Sequence, residues 1–246
     1  MDRYDFRTKR LYVDAPLAFD KPVEAERAQA NYLLNVLRLS AGSNVLLFNG
    51  RDGEWLGRLE PDGRKACRIV PVRQTRPQPQ PQDLWYCFAP LKQARLDYMV
   101  QKAVEMGAGV IRPVITRHTQ VTRLNIERMQ ANAIEAAEQC GILAVPRCAE
   151  PVALHQLLEE FGSGRALVFC DESAADADAI DLLRPIHGRP LAVLVGPEGG
   201  FSEEERRMLA ACDFVTAIPL GPRILRADTA GVAALALVQA VAGDWR

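Results

Sequence analysis

The sequence predicts two units: a small β-barrel, then a mostly parallel α/β sheet covered by helices on both faces. Three observations predict this. Short β-like runs punctuated by Asn-Gly and Asp-Gly pairs fill residues 1–73. The stretch RQTRPQPQPQD, Arg73 to Asp83, alternates proline and glutamine without an apolar side chain and reads as an extended connector. Beyond it, apolar strand-like runs alternate with helical patterns. The expected boundaries are 1–73 for the barrel, 74–82 for the linker and 83–246 for the α/β domain.

In the first unit, RLYVDAPL, NVLLFNGRDGEWLGRLE and KACRIVPV are the strand candidates, with turns at Asn49-Gly50, Asp52-Gly53 and Asp62-Gly63. EAERAQANYLLNVLRLSAG has helical spacing. Tyr32, Leu33, Val36 and Leu37 share a face, and Gly42 ends it. In the second unit, DLWYCFAP reads as a buried strand. QARLDYMVQKAVEMGAG is an amphipathic helix with Leu96, Met99, Val100, Ala103 and Val104 inward and Gly107 as its stop. The strand VIRPVITRHTQV and the helix NIERMQANAIEAAEQCG follow. RALVFCDE, PLAVLVGPEGG and FVTAIPLGPR are short apolar runs ending in loops, with a helix from Glu203 to Ala211 between the last two. The final stretch, DTAGVAALALVQAVAG, is apolar on nearly all sides and is expected to be a buried helix.

Composition is that of a globular protein: 246 residues, 48% hydrophobic and 25% charged. No window approaches the ~18 uninterrupted apolar residues of a membrane span. The first residues are charged rather than signal-like, so a cytoplasmic location is expected. Six cysteines form no CxxC pair and the three histidines are scattered, so no metal site is expected and the thiols should be reduced and mostly buried. The net charge of −1 hides a split. Residues 1–124 hold 20 Lys+Arg and 13 Asp+Glu, whereas residues 125–246 hold 10 and 18. A basic half suits a polyanionic partner, and it equally suits a solvated basic surface.

The segment LVGPEGGFSEEERRML, Leu194 to Leu209, joins a strand end to a helix start through three glycines. Ser202 and Glu205 have capping-box spacing, and Glu203, Glu204 and Glu205 fill the first helical turn. A phosphate-binding loop leaves that helix end free for its anion; here carboxylates occupy it. The P-loop and dinucleotide fingerprints are absent. Gly196 follows one strand and Gly221 follows another. Ligands of open parallel sheets bind outside the carboxyl ends of the strands, so these two loops are expected to wall a ligand without phosphates at that end.

LVGPEGGFSEEE and IPLGPRILRADTA, with VQKAVEMG and EAAEQC upstream, resemble the RsmE family of ribosomal RNA small-subunit methyltransferases, in the SPOUT class. The resemblance spans essentially the whole chain. It implies a PUA-like N-terminal barrel and an α/β domain with a trefoil knot. It also implies an S-adenosyl-L-methionine pocket, a homodimer, and methylation of N3 of a uridine in 16S ribosomal RNA, on the assembled small subunit. Carried onto this sequence, the cofactor contacts fall at Gly196, Pro197, Glu198, Gly199 and Gly200, then at Ile218, Leu220, Gly221, Ile224, Leu225 and Thr229. Phe169, Cys170 and Asp171 form a third wall. An acidic neighbourhood accepts the cofactor's sulfonium. Where the family more often has Glu this chain has Asp228, and Ile142 stands where the family places an arginine, with Arg147 near by.

Uridine N3 bears a proton and is a poor nucleophile while neutral, so its transfer needs a proton acceptor or stabilisation of the developing anion. Arg226 and Arg223 can hold uracil oxygens or a phosphate. Asp228 can accept the proton, orient an arginine or cap the last helix, which Thr229 can also do. Glu198 is the second carboxylate candidate. The RNA-binding candidates are Arg3, Arg7, Lys9, Arg10, Lys92, Arg95, Lys102, Arg117 with His118, Arg123 and Arg223, a set suited to recognition by shape and backbone. Two rivals from other classes are an RNA-binding module without catalysis and a nucleotide-dependent α/β enzyme.

Overall fold

A computed structural model describes residue 5 and residues 7–63, 65–121, 123–171 and 178–245. The chain divides into two compact units, residues 1–80 with 137–145, and residues 81–136 with 146–246.

The first unit contains β1 (Arg10–Tyr12), β2 (Val23–Glu24), α1 (Arg27–Asn31), β3 (Asn44–Phe48), β4 (Glu54–Asp62) and β5 (Ala66–Arg76). The strands pair in the order β1-β3-β4-β5-β2, antiparallel except for β1 on β3. The sheet curls as a half-barrel over Leu33, Val45, Leu47, Leu59 and Ile69, all fully buried. β5 runs to Arg76, three residues into the stretch expected to be connector. The expected single helix is also different. α1 passes into a π-helical turn, Tyr32–Val36, closed by the Leu37 amide donating to the Tyr32 carbonyl at 2.9 Å. That wider turn rotates the apolar stripe. Leu33 stays buried while Val36, expected on the same face, is 61% exposed.

One buried ion cluster ties this unit together. The Glu54 carboxylate accepts from Arg10 Nε at 2.9 Å, Arg76 Nη2 at 2.7 Å and Thr75 Oγ1 at 2.8 Å. Arg10 Nη2 also donates to the Asp5 carbonyl at 2.7 Å. Arg10 is thus a buried structural cation, not the RNA contact its place in the basic half suggested.

The second unit contains β6 (Leu84–Phe88), α2 (Gln93–Glu105), β7 (Val110–Ile115), α3 (Ile126–Cys140) up to Ala136, β8 (Arg147–Cys148), β9 (Val152–Ala153) and α4 (Leu154–Phe161). It continues with β10 (Ala166–Cys170), α5 (Ala179–Leu183), β11 (Leu191–Val195), α6 (Glu203–Ala210), β12 (Val215–Ile218) and α7 (Ala227–Val241). Its strands run in the order β12-β10-β11-β6-β7-β8, every pair parallel, with β9 also pairing parallel to β7. Parallel strands buried on both faces need near-continuous apolar runs, and β11 (LAVLV) is buried at all five positions. The five inward residues expected for α2 are its buried set, and Gly107 ends it with φ +83°. α4, which the sequence reading passes over, buries Leu154, Leu157, Leu158 and Phe161. α7 packs by its glycine. A Cβ on Gly231 would lie 2.3 Å from the Tyr86 hydroxyl. α7 is not buried all round, because Val232, Ala236 and Leu237 remain half-exposed.

Burial pushes the Glu54 carboxyl up, but the bonds from Arg76, Thr75 and Arg10 outweigh it and hold the group below its ordinary 4.5. A depressed carboxylate contributes stability that is fully present above the unfolded-state value and lost as pH falls through the folded one. Thermal unfolding from pH 7 to pH 3 should therefore show a loss beginning below about 4.5. Glu54→Gln should start roughly 3–5 kcal/mol less stable, since it leaves Arg10 buried without its counter-charge, and should lack that part of the acid limb. Parallel acid limbs in the two proteins would remove Glu54 as its source.

Candidate functional site

Three adjacent strands end together. Cys170 of β10 is level with Ile218 of β12, and the Asp171 amide donates to the Ile218 carbonyl at 3.0 Å. β11 ends beside them at Val195. The loops that leave these strands enclose an open hollow of about 650 Å³. From β10 it takes Cys170 and Asp171. The loop after β11 contributes Gly196, Pro197, Glu198, Gly199 and Gly200, and the loop after β12 contributes Leu220, Gly221, Ile224 and Leu225. Most of the expected ligand contacts are therefore brought to one wall set. Phe169 and Ile218 are not, because both are buried within the sheet, and Thr229 lies beyond the lining, on α7.

The glycine loop is tightly determined. A Cβ on Gly196 would stand 2.5 Å from the Phe201 ring, which is itself held edge-on against Phe169 at 4.9 Å. The Gly200 amide closes a turn onto the Pro197 carbonyl at 2.9 Å, with Gly200 at φ +68°. His118 Nδ1 lies 3.1 Å from both the Gly199 and Gly200 carbonyls. Carbonyl oxygens only accept, so Nδ1 carries the proton. At the start of α6 the expected capping box is present. The Ser202 amide donates to Glu205 at 2.8 Å, and the Glu205 amide donates to Ser202 Oγ at 3.3 Å. Buried Glu205 also accepts the Arg117 amide at 2.7 Å, so one carboxylate fastens the loop after β7 to the loop after β11.

The electrostatics differ from the acidic setting expected. Glu203 and Glu204 point to solvent on α6 and do not line the hollow. Its carboxylates are Asp171 and Glu198, and each is paired: Asp171 with Arg206, Glu198 with Arg95. Arg223 and Arg226 bring two further cations to the lining. The walls therefore hold more positive than negative charge. Cys170 is a neutral thiol, pushed up to about 12 by burial.

Asp228 is not among the lining residues. It sits in the first turn of α7, where its Oδ1 accepts the Thr229 amide at 2.9 Å. Arg226 is the N-cap residue of α7, without a side-chain capping bond, and it faces the hollow. Val195, Phe201, Arg206, Ala227 and Ala230 also line the hollow, although none is a site candidate from the sequence. Only the Ser202–Glu205 signal, which starts α6, could have pointed to Arg206 in the following turn. Of the basic candidates, Arg7, Lys9, Lys92, Arg117, Arg123 and Arg223 are exposed. Lys102 is paired with Glu105, Arg95 has become a wall of the hollow, and Arg3 lies outside the described residues.

A parallel sheet with a hollow across three neighbouring strand ends, following a curled β unit, defines a two-part α/β protein with a cavity of small-molecule size where ligands of such sheets bind. Comparison narrows the class. A family model for an RNA methyltransferase domain matches residues 78–239, and one for an RNA methyltransferase PUA domain matches residues 26–72. The ribosomal RNA small subunit methyltransferase E of Rickettsia conorii is 30% identical, with 94% of both chains covered. That of Bacillus subtilis is 27% identical over 97% of this chain and 96% of its own. The crystal structure of the Neisseria gonorrhoeae protein of the same name, bound to S-adenosyl methionine, superposes with a TM-score of 0.88 at 27% identity, covering 98% of this chain and all of that one. The chain belongs to the ribosomal RNA small subunit methyltransferase E family.

Glu205→Ala should leave the Ser202 and Arg117 amides without their acceptor. A cost of about 1–3 kcal/mol is expected, read as a lowered urea midpoint with an unchanged slope. A wild-type midpoint would show that Glu205 does not fasten the two loops.

Proposed function

We propose that this protein transfers a methyl group from S-adenosyl-L-methionine to N3 of a specific uridine in 16S ribosomal RNA, acting on the assembled small subunit. The observation that supports this most is the hollow itself. Main-chain edges wall it, the Gly196 position leaves no room for a side chain beside Phe201, and its size suits a nucleoside with a short tail. The Neisseria relative, alike over the whole chain, was solved with this donor bound. The lining fits the group. Backbone groups of residues 196–200 and 220–225 would hold its adenosine portion. The arginines would receive its carboxylate, and Asp171 and Glu198 would face its cationic end. When bound, it supplies an electrophilic methyl group on sulfur.

The chain's own residues would prepare the uridine. Arg226 faces the hollow and is suited to the uracil oxygens, where negative charge gathers as the N3 proton leaves. Glu198 is the carboxylate on the wall, and it would accept the N3 proton once Arg95 is drawn away from it. Asp228, bonded to its own helix, would act by holding α7 and Arg226 in place. The N-terminal half-barrel, residues 1–73, would bind RNA, followed by the linker 74–82. The half-exposed apolar side of α7, Val232, Ala236 and Leu237, supports a homodimer. A SPOUT-type knotted path for α7 belongs to the same reading. No helix among the described residues is long and apolar enough to cross a membrane.

Calorimetry should give binding of S-adenosyl-L-methionine to the wild-type chain. Gly196→Ala should weaken it at least tenfold, because the new methyl group forces either the loop or Phe201 out of place. Equal affinity in the variant would put the donor elsewhere. Mass mapping of small-subunit RNA from cells lacking the gene should show one uridine without its methyl group. Complementation with Glu198→Gln should restore far less of it than the wild-type gene, and full restoration would end the role given to Glu198.

A further inference from the structure

A second, smaller hollow of about 300 Å³ lies against the first. Arg95, Pro197 and Glu198 line both, so the Arg95–Glu198 pair forms a partition between them. Lys92, His118 and Val121 line the second hollow and not the first. Lys92 is exposed and has no carboxylate partner among the described residues. The imidazole is held by its Nδ1 proton on the glycine-loop carbonyls, which leaves Nε2 as its other polar atom.

We propose that this second hollow receives the target nucleotide of the RNA, with a backbone phosphate on Lys92 and the base directed at the shared partition. The inference rests on the methyl-donor reading of the first hollow. Uridine N3 lies on the edge used for base pairing, so it must be unpaired and turned out of any stack before it can be methylated. An extruded nucleotide needs a receptacle of single-nucleotide size that borders the donor site and carries a cation for its phosphate. The second hollow has all three properties.

The test uses the full chain and small subunits from cells lacking the gene. Lys92→Ala and Ala94→Trp alter only the second hollow, since neither residue lines the first. Both should bind S-adenosyl-L-methionine as the wild type does. Lys92→Ala should raise KM for the subunit about tenfold and lower the slope of log affinity against log salt by about one phosphate contact. Ala94→Trp, which adds an indole to the lining, should abolish transfer. Wild-type KM and salt slope in Lys92→Ala, together with normal turnover in Ala94→Trp, would overturn the second site while leaving the donor site standing. Failure of the wild-type chain to bind S-adenosyl-L-methionine would instead remove the reading beneath it.

Discussion

The geometry of the site depends on where one buried carboxylate spends its hydrogen bonds. Glu205 closes the amino end of α6 through the Ser202 amide and reaches across to the Arg117 amide in the loop after β7. Both oxygens are used, and both amides would otherwise be left without an acceptor. With α6 capped by its own side chain, its amino end offers no site for an anion. The glycine loop before it is then set by Phe201 packing against Gly196 and by His118 on the Gly199 and Gly200 carbonyls. Shape, rather than charge at a helix end, selects what enters.

Charge enters through pairing. Each carboxylate on the hollow has an arginine partner from a different element: Arg206 of α6 for Asp171 after β10, and Arg95 of α2 for Glu198 after β11. These pairs are part-exposed, where an ion pair contributes about 0–1 kcal/mol and is screened by salt. Such pairs exchange partners at little cost. That property suits walls that meet a ligand with both a carboxylate and cationic groups.

The first unit follows the opposite rule. Glu54, Arg10 and Arg76 form a cluster whose carboxylate is buried, and breaking it would strand a charge. Two basic residues of the basic N-terminal half are therefore structural, whereas others, such as Arg7 and Lys9, are exposed. A count of Lys and Arg along the chain cannot separate these roles, because the distinction is made by the partner each finds in the fold.

The parallel sheet was legible in the sequence because β6, β10 and β11 must be apolar along their length to be buried on both faces. The Ser202–Glu205 cap was legible because it is a contact between residues three apart. The α2 face was legible from spacing alone. Local constraints leave local traces. The π turn that exposes Val36, the arginines that offset the hollow's acids, the displacement of Asp228 from the lining and the meeting of Arg95 with Glu198 left none. The two ion pairs depend on atoms distant in the chain, Arg95 and Glu198 being 103 residues apart and Arg206 and Asp171 35. Side-chain pairing over that separation is decided by how strands and helices pack, so only the tertiary structure could settle which charges line the hollow and which hold up its walls.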